Sequence, residues 1–175
     1  VSEGLEYRDF ITVGLLFDKI NFDLEDNWIY VQESNVQVGR IQIFNNWSPH
    51  LVSDSSKTWV GLEYFCNTSD EIWNTSDVNI VAMAHQELID LGFTTAESSV
   101  QDSRVIRVPK AYPAYYGTYA QFDTVKSFVN SFANLFLIGR NGMHRYNNQD
   151  HSMLTAMQAV DNIISNNKDK ENIWA

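Results

Sequence analysis

The stretch GRNGMHRYNNQDHS, residues 139–152, decides how the second half of this 175-residue chain is interpreted. An apolar run, residues 135–138, precedes it, and residues 153–164 follow with apolar side chains at helical spacing. We therefore predict a short buried strand, a polar loop, and a helix opened by Asp150 or Ser152. The predicted inward face of this helix consists of Met153, Ala156, Met157, Val160 and Ile164.

The polar loop carries two Arg, two His, one Tyr and several amides within fourteen residues. One interpretation is a polar surface loop with a capping Asp. The other is a functional site, because the N–H groups that begin a helix can hold an anion or a carbonyl oxygen. Such a density of polar side chains between two apolar elements favours the functional site. His144 and His151 have no Cys or carboxylate spacing beside them, so we predict no metal site.

Upstream of this stretch, the pattern predicts an antiparallel sheet with flanking helices, an α+β fold. Strands are expected at residues 11–17, 28–32, 38–44 and 58–65. A helix capped by Ser76 or Thr75 follows, and Gly92 ends it. A fifth strand, residues 105–108, is expected to end at Pro109, before a loop to residue 119 and a second helix. The tail from residue 165 is polar and predicted to fray, with Trp174 as the one side chain that could dock.

Composition excludes several classes of function. The chain is 44% hydrophobic, which is ample for a core, and its net charge of −10 argues against nucleic acid or an anionic membrane as a partner. No apolar run approaches the roughly 20 residues that span a bilayer. Cys66 is the single cysteine, so no internal disulfide can form, and the cytoplasm is the expected compartment.

The pattern Gly-Arg-x-Gly-x-x-Arg-Tyr-x-x-x-Asp over residues 139–150 resembles the C-terminal flavin-contacting motif of UDP-galactopyranose mutases. It is similar, more loosely, to the amine oxidase, protoporphyrinogen oxidase and phytoene desaturase group of FAD enzymes. The resemblance implies an FAD-dependent oxidoreductase whose final strand–loop–helix contacts the isoalloxazine ring. It also implies a small-molecule substrate, with a sugar nucleotide as one candidate, held beneath the sheet.

The resemblance also implies roles for individual residues. Arg140 is expected to be catalytic, stabilising negative charge beside the ring. The residues expected to contact the cofactor are Gly139, Arg140, Asp150, His151 and Ser152. The residues expected to contact the substrate are His144, Tyr146, Asn148 and Tyr112. A second, diphosphate-binding arginine is expected among Arg40, Arg104 and Arg107.

The domain organisation follows from the same resemblance. Residues 5–118 are expected to form the substrate domain, residues 119–166 the helix and the flavin-contacting strand–loop–helix, and residues 167–175 a tail. The Gly-x-Gly-x-x-Gly turn that binds the FAD pyrophosphate does not occur among the 8 glycines. We therefore expect a missing N-terminal FAD domain, an isolated fragment without activity, and an exposed apolar face through which that fragment can self-associate.

Two alternatives remain open. One is the sugar-nucleotide mutase itself, although Asn148 replaces the Asp that the mutases carry, and His144 replaces an aromatic residue. The other is a binding or assembly module that holds no flavin. Full-length turnover of UDP-galactopyranose would favour the first. A complete gene without an upstream glycine-rich unit would favour the second.

Overall fold

The computed structural model describes residues 1–18, 20 and 25–174 of the chain. Two compact units are present. The sheet unit is Asp9–Pro109, and the C-terminal unit is Val1–Arg8 together with Lys110–Ala175. Each is described separately below.

A five-stranded sheet has the strand order β2-β3-β4-β1-β5. The strands are β1 (Leu5–Asp18), β2 (Trp28–Tyr30), β3 (Arg40–Ile43), β4 (Lys57–Cys66) and β5 (Val100–Gly117). β1 pairs with β4, β4 with β3, and β3 with β2, and all three pairings are antiparallel. The predicted α+β fold with an antiparallel sheet is therefore confirmed.

The helices are mostly short. They are α1 (Phe44–Trp47), α2 (Glu71–Asn74), α3 (Asp77–Asp90), α4 (Phe122–Asn130), α5 (Gly139–Gly142), α6 (Gln149–Ile164) and α7 (Glu171–Trp174). Single 3₁₀ turns occupy Ser2–Gly4 and Tyr119–Gln121. Among the described residues, no helix has both the length and the apolar character needed to cross a membrane.

The core of the sheet unit lies between one face of the sheet and α3. Alternate residues of β1 and β4 point to this face, and Ile80, Ala84 and Leu88 of α3 meet them, all fully buried. The predicted cap of α3 is confirmed, because the Asn79 N–H donates to the Ser76 hydroxyl at 3.4 Å. Gly92 adopts a φ of 77° just beyond the helix, which is the left-handed stop expected there.

The fifth strand is longer than predicted. We expected it to end at Pro109, but β5 runs from Val100 to Gly117. β5 is an edge strand of the sheet, where a proline can place its missing N–H on the unpaired side. Lys110, next in the chain, has a φ of 56°, so the strand bends there and then continues. The expected loop of residues 110–119 is therefore mostly strand.

The predicted buried strand at residues 135–138 is wrong. This segment is irregular, Leu135 and Ile138 are exposed, and the helical turn α5 follows it directly. Four residues form a strand only beside a partner strand, and the described part of the chain offers none outside the five-stranded sheet. A side chain fixes the end of the segment instead, since the Gly139 N–H donates to the Thr155 hydroxyl at 3.1 Å.

The predicted orientation of α6 is also wrong. Its large apolar residues form an exposed stripe, hereafter the α6 stripe: Met153, Met157, Val160 and Ile164. The buried face is small and polar, and consists of Thr155, Ala159 and Asn162. This face packs inward because its polar side chains find partners, such as the Asn162 amide donating to the Asp169 carbonyl at 3.2 Å. The helix begins at Gln149, with Asn148 as N-cap rather than Asp150 or Ser152.

The tail is docked where we predicted fraying. Lys170 is 5% exposed and Ile173 3%. The Lys170 ammonium donates to the carbonyl oxygens of Phe132 at 2.6 Å and Leu135 at 2.9 Å. α7 follows immediately. Ala175, the last residue of the predicted tail, lies outside the described residues.

Candidate functional site

Three of the predicted site residues meet in the C-terminal unit. The Arg140 guanidinium lies 5.0 Å from the ring centroid of Tyr112 and 4.8 Å from that of Tyr146. The two rings are 5.9 Å apart and nearly parallel, with an interplanar angle of 18°. A planar cation held against two aromatic faces is a stable arrangement. We call these three residues the arginine clamp.

The chain around the clamp is fixed by main-chain hydrogen bonds. Arg140 Nε donates to the Asn147 carbonyl at 2.9 Å, and the Tyr146 N–H donates to the Tyr115 hydroxyl at 2.6 Å. The Asn141 amide donates to the Lys110 carbonyl at 3.1 Å. These contacts join α5, the loop before α6 and the end of β5, so the position of Arg140 is set by all three.

Gly139 begins the clamp with a φ of 68°. This left-handed conformation is strained for residues with a Cβ, so the sequence needs glycine here. A Cβ at this position would meet the Ser152 side chain at 3.4 Å, which is ordinary contact. The glycine is therefore required by the backbone conformation rather than by lack of space.

The start of α6 presents backbone donors beside the clamp. The Asn148 side chain makes no capping hydrogen bond. Ser152 turns toward the loop, where its hydroxyl donates to the Asn147 side-chain oxygen at 2.8 Å. Asp150 and His151 are exposed and contact each other at 3.1 Å, a surface pair of small energetic value. First-turn N–H groups and the helix dipole favour a negatively charged or carbonyl-bearing group at this end.

His144 occupies a different environment from the clamp. Its ring is 2% exposed and lies among Tyr7, Tyr119 and Phe122, with centroid distances of 4.7 to 6.0 Å. His144 Nε2 lies 3.1 Å from the Ala114 carbonyl, so Nε2 carries the proton and donates it. Nδ1 is buried and has no hydrogen-bond partner in the described chain. A substrate could reach this ring only if the surrounding aromatic side chains moved.

A cleft of about 310 Å³ opens beside the start of α6. Its lining includes the predicted residues Tyr146, Asn148 and His151. Arg145 and Trp174 also line it, and the Arg145 guanidinium donates to the Trp174 carbonyl at 3.1 Å. Sequence reasoning assigned Arg145 no role, and it suggested for Trp174 only that the side chain docks. The one available signal was a tryptophan near the end of an otherwise polar tail.

The three candidate arginines of the sheet unit differ in their surroundings. Arg107 is used structurally, because it donates to the Trp73 and Thr75 carbonyls and pairs with Asp77 at 2.6 Å. Arg104 is exposed. Arg40 is nearly buried and forms an ion pair with Glu63. The described residues contain no cluster of three or more His, Cys, Asp or Glu side chains that could hold a metal ion.

Comparison with known proteins shows the fold. No family model matches the sequence, and no curated protein does. A crystal structure of reduced UDP-galactopyranose mutase matches 98% of this chain with a TM-score of 0.82 and 16% sequence identity. The predicted resemblance in fold is confirmed.

A second solved structure is similar over a smaller part of the chain. A candidate protoporphyrinogen oxidase from Exiguobacterium sp. 255-15 matches 74% of this chain with a TM-score of 0.59 and 18% identity. The present chain spans 37% of the mutase chain and 28% of the oxidase chain. At these identities the likeness establishes the fold, and the site residues rest on the geometry described above.

Proposed function

We propose that this chain forms the substrate pocket of an FAD-dependent oxidoreductase and contacts the isoalloxazine ring in the whole protein. The observation that carries the proposal is the arginine clamp beside the uncapped start of α6. Arg140 is held against the loop that leads into α6, and the helix start supplies backbone donors, so a planar ring that gains negative charge on reduction could use both. The similarity in fold to a mutase and to a candidate oxidase supports it.

The residues present fit a flavin. The α6 start is not closed by the Asn148 side chain, so its N–H groups are available to ring carbonyl and nitrogen atoms. Gly139, in its left-handed conformation, turns the chain without a side chain of its own. Among the predicted cofactor contacts, Asp150 and His151 lie at the exposed helix start, and Ser152 supports the loop through Asn147.

FAD, when bound, would supply two-electron transfer. Arg140 would stabilise negative charge beside the ring, and its contacts with Tyr112, Tyr146 and the Asn147 carbonyl would keep that charge in place. Tyr146 is half exposed and lines the cleft with Asn148, so both can bind a substrate by hydrogen bonds. Tyr112 would act by holding Arg140. His144 would have a structural role, and it would contact the substrate only if the aromatic rings around it moved.

The cofactor's pyrophosphate would be bound outside this chain. No glycine-rich phosphate-binding turn is found in the sequence, and the α6 stripe is an apolar surface suited to a further domain. We infer that an N-terminal FAD domain covers this stripe in the whole protein. The isolated chain would then be inactive.

A second candidate is a UDP-galactopyranose mutase-type isomerase. The more extensive similarity in fold to the mutase favours it. Asn148 offers a neutral amide where the mutases have a carboxylate, which weighs against the same chemistry. Conversion of UDP-galactopyranose by the reduced full-length protein would establish this candidate over the oxidoreductase.

The test begins with a visible absorbance spectrum of the protein purified from its complete gene. We expect a flavin band that stays with the protein through gel filtration. In that protein, Arg140→Met should make the flavin reduction potential more negative by about 30 mV or more, because a lost cation destabilises the reduced form by roughly 1.4 kcal/mol. Arg104→Met, which changes an exposed arginine of the sheet unit, serves as the control.

Two outcomes would contradict the proposal. A colourless protein that also fails to take up added FAD would favour the flavin-free binding module. An unchanged flavin reduction potential in Arg140→Met would show that the arginine clamp does not lie beside the flavin. The protein would still be a flavoprotein, but its isoalloxazine ring would be bound elsewhere.

A further inference from the structure

We infer that Glu63 determines which class of ligand the outer face of the sheet unit can bind. By pairing with Arg40 it makes the outer face of the sheet unit selective for an uncharged ring, such as a pyranoside, over a nucleoside diphosphate. The outer face is the side of the sheet opposite α3. The inference goes beyond the proposed function, because it concerns a ligand-binding face that lies within the sheet unit alone.

The charge of Arg40 is matched within the sheet. Arg40 on β3 lies directly opposite Glu63 on β4, so their side chains share a face. Arg40 Nε donates to one carboxylate oxygen of Glu63, and the Gln42 amide donates to the other. Glu63 is 1% exposed. Both carboxylate oxygens are therefore occupied, and the charge of the arginine is neutralised before any ligand arrives.

Aromatic rings surround this ion pair. The Arg40 guanidinium lies 4.3 Å from the Trp28 ring centroid, and 5.6 and 5.8 Å from those of Tyr30 and Phe65. Trp28 packs edge-on against Trp47 at 5.0 Å. All four rings are substantially exposed in this chain. An exposed aromatic cluster around a few fixed polar groups is typical of a ligand site.

Three glycines leave room for aromatic rings on the same face. A Cβ at Gly61 would come within 2.9 Å of the Phe44 ring, and one at Gly39 within 3.0 Å of the Phe65 ring. A Cβ at Gly14, paired with Gly61, would come within 3.1 Å of the Trp59 ring. Side chains at these positions would displace the rings. The sequence therefore builds a broad aromatic surface around a neutral polar centre.

This surface distinguishes ligands by charge. A diphosphate needs uncompensated cationic donors, and binding it at Arg40 would require breaking the pair and leaving Glu63 buried without its cation, which is costly. An uncharged sugar ring can stack its C–H face on Trp28 or Tyr30 and leave the ion pair intact. The arrangement thus favours the neutral ring.

The experiment measures ligand binding by titration calorimetry on the protein from its complete gene. The probes are UDP and methyl β-D-galactopyranoside. Glu63→Gln removes the negative charge, and Gln42 can turn its amide to restore the hydrogen bonds. We expect Glu63→Gln to bind UDP at least about tenfold more tightly than the unmodified protein, since hydrogen bonds to a freed charge are strong. Its affinity for the galactopyranoside should change less than about threefold.

Two controls isolate the effect. Asp18→Asn removes a carboxylate from the exposed Asp18–Lys57 pair of the same sheet, and should leave UDP binding unchanged. The double variant Glu63→Gln/Arg40→Met should lose the gain in UDP affinity. If circular dichroism shows that Glu63→Gln does not fold, the test uses the unmodified protein alone. The inference then requires that this protein bind the galactopyranoside at least as tightly as UDP.

The inference is overturned if the unmodified protein binds UDP as tightly as Glu63→Gln does, if Asp18→Asn produces the same gain, or if the unmodified protein does not bind the galactopyranoside at millimolar concentration. The flavin spectrum tests the proposed function separately. A colourless protein in which Glu63→Gln still gains UDP affinity would reject the flavin and retain the role of Glu63.

Discussion

Single side chains decide how the C-terminal unit is assembled. Arg140, Tyr112 and Tyr146 were predicted from the sequence as site residues, and the structure brings these three into contact. Lys170 was not predicted to matter, although its ammonium reaches carbonyl oxygens at Phe132 and Leu135, and its charge lies 4.8 Å from the Phe136 ring. A lysine in a polar tail gives no sign in the sequence of the carbonyl groups it will meet.

Lys170→Met should destabilise the protein. Methionine fills a similar volume but donates no hydrogen bond, so at least two inward carbonyl oxygens lose their cationic partner. We expect the free energy of unfolding to fall by about 2–4 kcal/mol, measured by urea denaturation. Lys168→Met, at an exposed position two residues earlier, should change it by less than about 0.5 kcal/mol. Equal effects of the two variants would show that the contacts of Lys170 contribute nothing specific.

At the scale of elements, buried polar side chains also join α3 to the sheet. The Tyr64 hydroxyl on β4 donates to Glu87 of α3 at 2.8 Å, and the other oxygen of Glu87 accepts the Gln37 N–H at 2.6 Å. Burial, together with the nearby Glu87 carboxylate, raises the pKa of Tyr64 well above its usual value. The hydroxyl therefore keeps its proton in the folded state at pH values where a tyrosine in the unfolded chain loses it.

The stability of the protein should consequently depend on Tyr64 at high pH. In the unfolded chain a tyrosine loses its proton near pH 10, whereas folded Tyr64 retains it. The raised folded pKa stabilises the native state below pH 10, and this contribution falls by about 1.4 kcal/mol per pH unit above it. Denaturation between pH 8 and 11 should show this decline in the unmodified protein and a weaker one in Tyr64→Phe.

Tyr116→Phe is the matched control, because Tyr116 is about half exposed. It should keep the pH dependence of the unmodified protein. If the free energy of unfolding depends on pH in the same way in Tyr64→Phe and Tyr116→Phe, Tyr64 has the same pKa in the folded and unfolded states. That result would contradict the prediction.

At the scale of the whole molecule, the α6 stripe is the feature that calls for a partner. Met153, Met157, Val160 and Ile164 are each more than half exposed. Exposed apolar surface of this extent marks an interaction site or favours aggregation. We expect the FAD domain to cover it in the whole protein and a second copy to cover it when the 175-residue chain is isolated.

Met157→Lys should therefore have opposite effects in two contexts. In the isolated chain it should reduce self-association, measured by sedimentation velocity, because it places a charge in the apolar contact. In the complete protein it should lower the thermal stability, because the same charge would be buried. Thr124→Lys, an exposed polar position on α4, should do neither. An unmodified chain that stays monomeric at high concentration would contradict the expected self-association.

The sequence by itself determined the order of most strands and helices, the cap of α3, and the loop that carries the clamp. These features depend on local chemistry: alternation in strands, a capping serine, and glycine at left-handed positions. Arg140 and Tyr146 were identifiable because their motif is contiguous in the chain.

Only the tertiary structure decided which surfaces find partners. Periodicity shows that Met153, Met157 and Val160 share one side of a helix, but it does not show whether anything covers that side. Likewise, β5 passes Pro109 because the strand lies at a sheet edge, and Arg40 is neutralised because Glu63 lies opposite it on the neighbouring strand. Burial and pairing arise from contacts between residues distant in the chain, and no local pattern contains them.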